Sequence, residues 1–205
     1  MEIKGLIEKY ATPYSLMLGI DLGSREEAEI QKWFLASILY AKPIREESAT
    51  ATFKQFDMLH VTSADDILKT GWDGLVKILD AGGYTRYDFS TATKLISVFG
   101  ALKENYGSLT HLEELSQNSK ELETRIKGLG KGIGYITISI FLRDMRLIWN
   151  KADPSPTPLV KIGMKALGID NLSIFQDSLE RVQVETALSR IGMLIRRGKW
   201  KKEQV

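Results

Sequence analysis

The sequence predicts an all-α protein, and three observations carry that reading. Apolar residues recur at helical spacing along almost the whole chain, no segment alternates with the period of two that a half-buried strand requires, and glycines and prolines cluster between the periodic segments. Ser24 followed by Glu27 has the pattern of a capping box. It opens a helix through Ala28, Ile30, Trp33, Phe34, Ser37 and Ile38 that Pro43 should stop. A second helix begins near Glu46 and includes Ala49, Phe53 and Phe56, and Ser63-Ala64-Asp65-Asp66 opens a third over Ile67 and Leu68. Residues 72–79 form another, ended by Gly82-Gly83 as C-terminal glycines end helices. Tyr84-Thr85-Arg86-Tyr87 then leads into a helix from Asp88 or Ser90 to Leu102.

Residues 112–116 and 120–126 are helical in pattern, and a glycine-rich turn, Gly128-Leu129-Gly130-Lys131-Gly132-Ile133-Gly134, separates them from the strongly apolar residues 133–149. Asp153-Pro154-Ser155-Pro156-Thr157-Pro158 forces extended backbone, because each proline restricts the residue before it and removes a donor. Helix resumes at about Leu159, giving elements over 159–167 and 172–197 with Gly168-Ile169-Asp170-Asn171 between them.

Composition bounds the function. A chain of 205 residues, 43% hydrophobic and 26% charged, is ordinary for a folded protein of one large domain or two interlocked small ones. The longest uncharged apolar stretch, residues 132–142, is far shorter than the roughly 20 residues of a membrane span. Met1-Glu2-Ile3-Lys4 lacks the features of a secretory signal, so the expected location is intracellular: cytoplasm and nucleoid, or the nucleus in a eukaryote. The absence of cysteine excludes disulfides, thiolate chemistry and cysteine-ligated zinc or iron–sulfur sites. His60 and His111 stand alone, so no metal and no other cofactor is implied. The net charge of +2 identifies no partner by itself, but basic residues cluster at Arg125, Lys127 and Lys131 and again at Arg196-Arg197-Gly198-Lys199-Trp200-Lys201-Lys202. The terminal cluster reads equally as a solvated tail.

The glycine-rich turn has a physical use. Glycines permit positive φ and close backbone approach, so amides opening the following helix can meet a phosphate oxygen at the positive end of the helix dipole. Leu129 would be the apolar peg between the two helices, with charge added by Lys127 and Lys131, and Gly134 would let the first helix pack across the second. A Gly-x-Gly pair also occurs in ordinary helical turns. A dinucleotide loop is disfavoured because no buried strand precedes it, and a Walker loop because no Gly-Lys-Ser or Gly-Lys-Thr ends it.

Taken with their surroundings, these residues resemble the endonuclease III-like superfamily of helix-hairpin-helix DNA glycosylases, over residues 31–165. The family's hairpin, Leu-Pro-Gly-Val-Gly, is matched by Ile126-Lys127-Gly128-Leu129-Gly130. Phe34 to Lys42 resembles the apolar helix ending at the family's DNA-facing loop, and Gly83-Tyr84 with Ala92, Lys94, Leu95 and Ile96 resembles a further segment and helix of that family. The resemblance implies two helical lobes with a damaged base of double-stranded DNA extruded between them. The lobes are expected at about 44–140 and at 1–43 plus 141–205, in a protein acting as a monomer. It also implies phosphate contacts from Lys127, Gly128, Leu129, Gly130, Lys131 and Gly132, with Lys42 touching DNA from its loop.

Departures from the family pattern shape the expected chemistry. The position of the Schiff-base lysine is Gly132, so the implied activity is monofunctional hydrolysis of an N-glycosidic bond in alkylated, deaminated or oxidised DNA, unless another amine substitutes. The iron–sulfur ligands are absent, as in other branches. Asp153 is the nearest match to the family's catalytic aspartate, but aligning Leu159-Val160 with the family's helix puts Thr157 there instead, and Asp153 then only starts a proline turn. Tyr40, Tyr87, Trp33 and Trp149, with Tyr84, are the aromatic candidates for stacking on an extruded base. The alternative is a non-catalytic protein that binds DNA or senses lesions through the same hairpin.

Overall fold

Each helix boundary has a local cause, and several differ from the expectation. The computed structural model describes residues 3–200, which form α1 (Ile3–Tyr10), α2 (Tyr14–Met17), α3 (Glu27–Tyr40), α4 (Glu46–Met58), α5 (Ala64–Ala81), α6 (Asp88–Asn105), α7 (Leu109–Glu114), α8 (Ser119–Gly128), α9 (Tyr135–Met145), α10 (Pro158–Leu167) and α11 (Ser178–Arg196), with short 3-10 turns at Leu22–Ser24 and Leu172–Ile174. No strand occurs among the described residues, so the all-α expectation holds. Nor, among them, is any helix long and apolar enough to cross a membrane.

Side-chain caps open α5, α7, α8, α10 and α11, where Ser63, Ser108, Asn118, Thr157 and Asp177 accept from amides three residues on. Ser63 and Asp66 complete a reciprocal capping box. The box expected at Ser24 and Glu27 does not form. Ser24 lies in a 3-10 turn capped by Asp21, and the Glu27 carboxylate instead accepts from the Leu109 and Thr110 amides at 2.8 and 3.0 Å, tying α3 to the start of α7. The two helices expected at 63–68 and 72–79 are one element, α5, kinked at Gly71, whose φ of 67° favours glycine.

From Trp33 to Leu39, helix α3 is buried on every side and is the hub of the larger core. Trp33, Phe34, Leu35, Ile38 and Leu39 are fully buried. Phe34 meets Phe99 of α6 and Phe141 of α9, with ring centroids 5.7 and 5.0 Å apart. Each such side chain contributes about 1.5–3 kcal/mol of burial.

A second, smaller core joins Val160, Leu167, Leu172, Val184, Leu188 and Ile191 of the C-terminal elements to Ile7 and Tyr10 of α1. Helices α10 and α11 touch backbone to backbone: a Cβ on Gly163 would lie 2.3 Å from the Leu188 carbonyl oxygen, and one on Gly192 2.0 Å from that of Leu159.

The division of the chain thus differs from the expected boundaries. The large core runs from Tyr14 to Ala152, because α3 and the C-terminal half of α9 pack into it rather than with the second lobe. Buried charge joins the two cores. Arg146 of α9 pairs with Glu185 of α11 at 2.9 Å, and the Arg190 guanidinium donates to the carbonyls of Tyr10 and Thr12 at 2.7 Å each.

Candidate nucleic-acid interface

Helix α8 ends at Gly128, and residues 129–134 turn the chain into α9. Two apolar side chains anchor this turn, Leu129 and Ile133, each 2% exposed. Gly132 has φ 92°, and Gly134 is extended and precedes α9 without a side-chain cap. The first amides of a helix have no partner within it, so the N-terminus of α9 presents donors at the positive end of its dipole.

This geometry moves the expected hairpin by four residues. Gly128 closes α8 instead of opening the next helix, and Gly130 faces inward, where a Cβ would lie 2.9 Å from Val98 Cγ2 of α6. The glycines that open α9 are Gly132 and Gly134, around Ile133. Gly134 has open space where a Cβ would stand, so it does not serve a close helix crossing.

Cations gather beside this turn. Lys94 of α6 donates from Nζ to the Gly132 carbonyl at 3.1 Å. Lys42 and Arg86 both lie over the Tyr87 ring, at 5.0 and 5.5 Å from its centroid. Burial, and to a smaller extent the positive charge of Lys42, push the Lys94 ammonium down to a pKa of about 8. Lys127 and Lys131 are exposed. Among the described residues, none of Lys42, Arg86, Lys94, Lys127 and Lys131 has a carboxylate at ion-pair distance, as is also true of cations elsewhere such as Lys54, Lys69 and Lys77, whereas the arginines and lysines at the other end of α9 do. Sequence reading did not connect Lys94 to the turn, because its proximity comes from the packing of α6 against it.

Behind the first turn of α9 lies a cleft of about 200 Å³, bordered by Tyr40, Lys42, Ile136, Ile140, Thr157 and Arg196. Tyr40 and Ile140 also border a smaller cavity of about 60 Å³ whose other walls include Tyr14, Arg45, Glu46 and Arg143. The rings of Tyr14 and Tyr40 are 4.9 Å apart. Tyr14 donates to Glu46 Oε2 at 2.7 Å, and burial raises its hydroxyl far above the usual range. Tyr40, bonded to Thr50 at 2.5 Å, is pushed up to about 12, chiefly by burial. Arg143 donates from Nε to Asp144 at 2.7 Å, while its buried Nη2 has no partner.

The aromatic candidates separate sharply. Tyr40 borders the cleft, and Tyr87 stands at the basic face. Trp33 and Tyr84 belong to the core: the Trp33 indole donates to the Phe141 carbonyl at 3.0 Å and the Tyr84 hydroxyl to that of Leu39 at 2.6 Å. Trp149 packs edge-on against Phe141 and borders a different cavity, with Arg25, Thr110 and Glu113.

Asp153 lies away from the cleft. Its carboxylate pairs with Arg181 at 3.0 Å and Arg146 at 3.4 Å, both of which also reach Glu185. From there residues 153–158 run back along α9, held where the Tyr135 hydroxyl donates to the carbonyls of Ser155 and Pro156. The residue that reaches the cleft at the start of α10 is Thr157, whose side chain accepts from the Val160 amide at 3.3 Å. Thr157, and not Asp153, is therefore the residue of this segment that borders the cleft. Of the terminal basic cluster, Arg196 borders the cleft and Trp200 packs on the smaller core, while Lys201 and Lys202 lie outside the described residues.

No family model matches the chain, and neither does a curated protein or a solved structure.

Proposed function

We propose that the chain binds double-stranded DNA through the α8–α9 turn, acting as a helix-hairpin-helix element, and holds an extruded base in the cleft behind it. One observation carries this reading: the uncapped N-terminus of α9 is flanked by cations without carboxylate partners, and it opens directly onto a cleft walled by Tyr40. Phosphate meets the amides of the turn, and Lys42, Lys94, Lys127 and Lys131 supply the remaining charge. Extruding a base costs a few kcal/mol, least for a damaged or mispaired one, and stacking on an aromatic ring returns about 1–3 kcal/mol. The resemblance of residues 31–165 to DNA glycosylases supports the same reading.

Recognition without excision is the form the cleft favours, because Thr157 stands at the start of α10 and Asp153 is drawn to two arginines. Monofunctional excision is the second reading, favoured by one observation: the segment carrying Asp153 continues into the cleft wall at Thr157 and Pro158. Incubating the protein with duplexes containing alkylated, oxidised or deaminated bases, followed by alkali, separates the two. Tight binding with no alkali-labile site is expected. Strand scission that disappears in Asp153→Asn would establish excision, and no binding to any duplex would defeat both readings.

A further inference from the structure

Helix α6 carries an exposed face that borders the α8–α9 turn on one side only. Ser90, Thr93 and Ser97 are exposed and, at spacings of three and four, line one face of the helix. One edge of this strip is the turn: Lys94 donates to the Gly132 carbonyl, and a Cβ on Gly130 would lie 3.4 Å from Ser97 Oγ. The other edge is aromatic. Trp72, next to the Gly71 kink of α5, and Phe89 are 40% and 60% exposed, with ring centroids 5.3 Å apart. The Trp72 indole donates to Thr93 Oγ1 at 3.0 Å, and that hydroxyl donates to the Phe89 carbonyl at 3.0 Å, so the indole is held in place although it is exposed.

Among the described residues of α5 and α6, these two rings are the only large apolar side chains left exposed, and around them stand hydroxyls and the carboxylates of Asp73 and Asp88. A protein partner would need an apolar patch at the centre of its contact, which is absent, whereas a base needs only the face of a ring. Resting on the DNA-binding reading above, we infer that the strip takes a single strand continuing from the duplex at the turn, with one unpaired base stacked on the Trp72–Phe89 pair. Charge orients that strand. Lys94 and Lys131 stand at the turn edge and Asp73 and Asp88 at the aromatic edge, so phosphates lie toward the turn and bases toward the rings. From Phe89 to Ser97 the strip is about 12 Å long, the rise of eight helical residues, which gives room for a short stretch of one strand. Bases within an intact duplex are stacked on one another and offer no face to the pair, so the protein selects a duplex with a single-stranded flank over a blunt one.

The test is equilibrium binding of the full chain, by fluorescence anisotropy, to a blunt duplex and to the same duplex extended by a few unpaired thymidines at one end, with either strand protruding. A further set carries tetrahydrofuran abasic residues in the extension, which keep the phosphates and remove the bases. One polarity of thymidine extension should bind at least about fivefold more tightly than the blunt duplex, the least that stacking one base contributes, and the abasic extension should lose most of that gain. Trp72→Ala and Phe89→Ala should each remove most of the gain and leave affinity for the blunt duplex unchanged. Should Trp72→Ala disturb the kink of α5, Phe89→Ala carries the test, since that ring lies mostly in solvent. Equal binding of blunt and extended duplexes, a gain that persists with the abasic extension, or a gain that survives the substitutions overturns the inference and leaves duplex binding standing. Failure to bind any of these duplexes overturns both.

Discussion

The two ends of α9 handle charge in opposite ways. At its C-terminal end, Arg143 pairs with Asp144, and Arg146 and Arg181 pair with Glu185 and Asp153; Arg143, Asp144 and Glu185 are buried. At its N-terminal end, Lys94, Lys127 and Lys131 stand on or against the turn and Lys42 lies near Lys94, with no carboxylate among the described residues at ion-pair distance, and the helix start has no side-chain cap. Paired charge joins two cores. Unpaired charge beside free amides is the arrangement that an external anion would complete, and the distinction predicts that the two ends fail differently when altered.

The largest effect is expected at the paired end. Glu185→Ala leaves the buried Arg146 with only the exposed Asp153 at 3.4 Å, and removing the buried partner of such a pair costs up to about 3–5 kcal/mol, less whatever Asp153 compensates. Urea unfolding should show that loss, and a change below about 1 kcal/mol would mean that the pair does not join the cores. At the other end, Gly134→Asp should leave the fold intact or stabilise it by a few tenths of a kcal/mol, since the site is open and aspartate is a good N-cap. The same carboxylate stands where phosphate would bind, so DNA affinity should fall about tenfold or more. Gly130→Asp gives the reverse contrast, because its side chain is driven into Val98 and lowers the melting temperature.

A smaller effect distinguishes Lys94. Its ammonium is held down at about 8, so raising the pH from 7 to 9 removes its charge and weakens DNA binding. Bound phosphate raises that pKa, so binding above pH 8 takes up a proton, which calorimetry in two buffers detects. Lys94→Gln should reduce the slope of log K against log salt by about 0.9, the value of one phosphate contact. Lys94→Arg should keep the slope and abolish the pH dependence. The smallest effect is expected for Asp153→Asn, which removes an ion pair of a side chain 60% exposed and should change stability by less than about 1 kcal/mol.

The helices were legible because their apolar spacing and caps are local. The placement of the turn was not. Residues 128–134 contain overlapping Gly-x-Gly patterns, and the contact of Gly130 with Val98, which decides between them, joins residues far apart in sequence. The burial of Trp33 was readable in principle, since the run from Trp33 to Tyr40 carries no charge on any side and such a stretch of helix is central. Asp153 was nominated by its distance along the chain from the glycines, but the prolines carry the backbone back along α9, so it is Thr157 that reaches the cleft. Arg143 and Asp144 stand as a charged pair within an apolar stretch, and the bond of Asp144 to Ser15, which holds the pair in the core, joins residues far apart in sequence that no local pattern connects.

The claim that the α9 N-terminus receives a DNA phosphate is tested most directly by titrating isotope-labelled protein with a short duplex and following backbone amide resonances. The largest shifts should fall on Gly132, Gly134, Tyr135 and Ile136, and they should disappear at high salt. Shifts confined to other surfaces, with these four amides unmoved, would contradict the assignment.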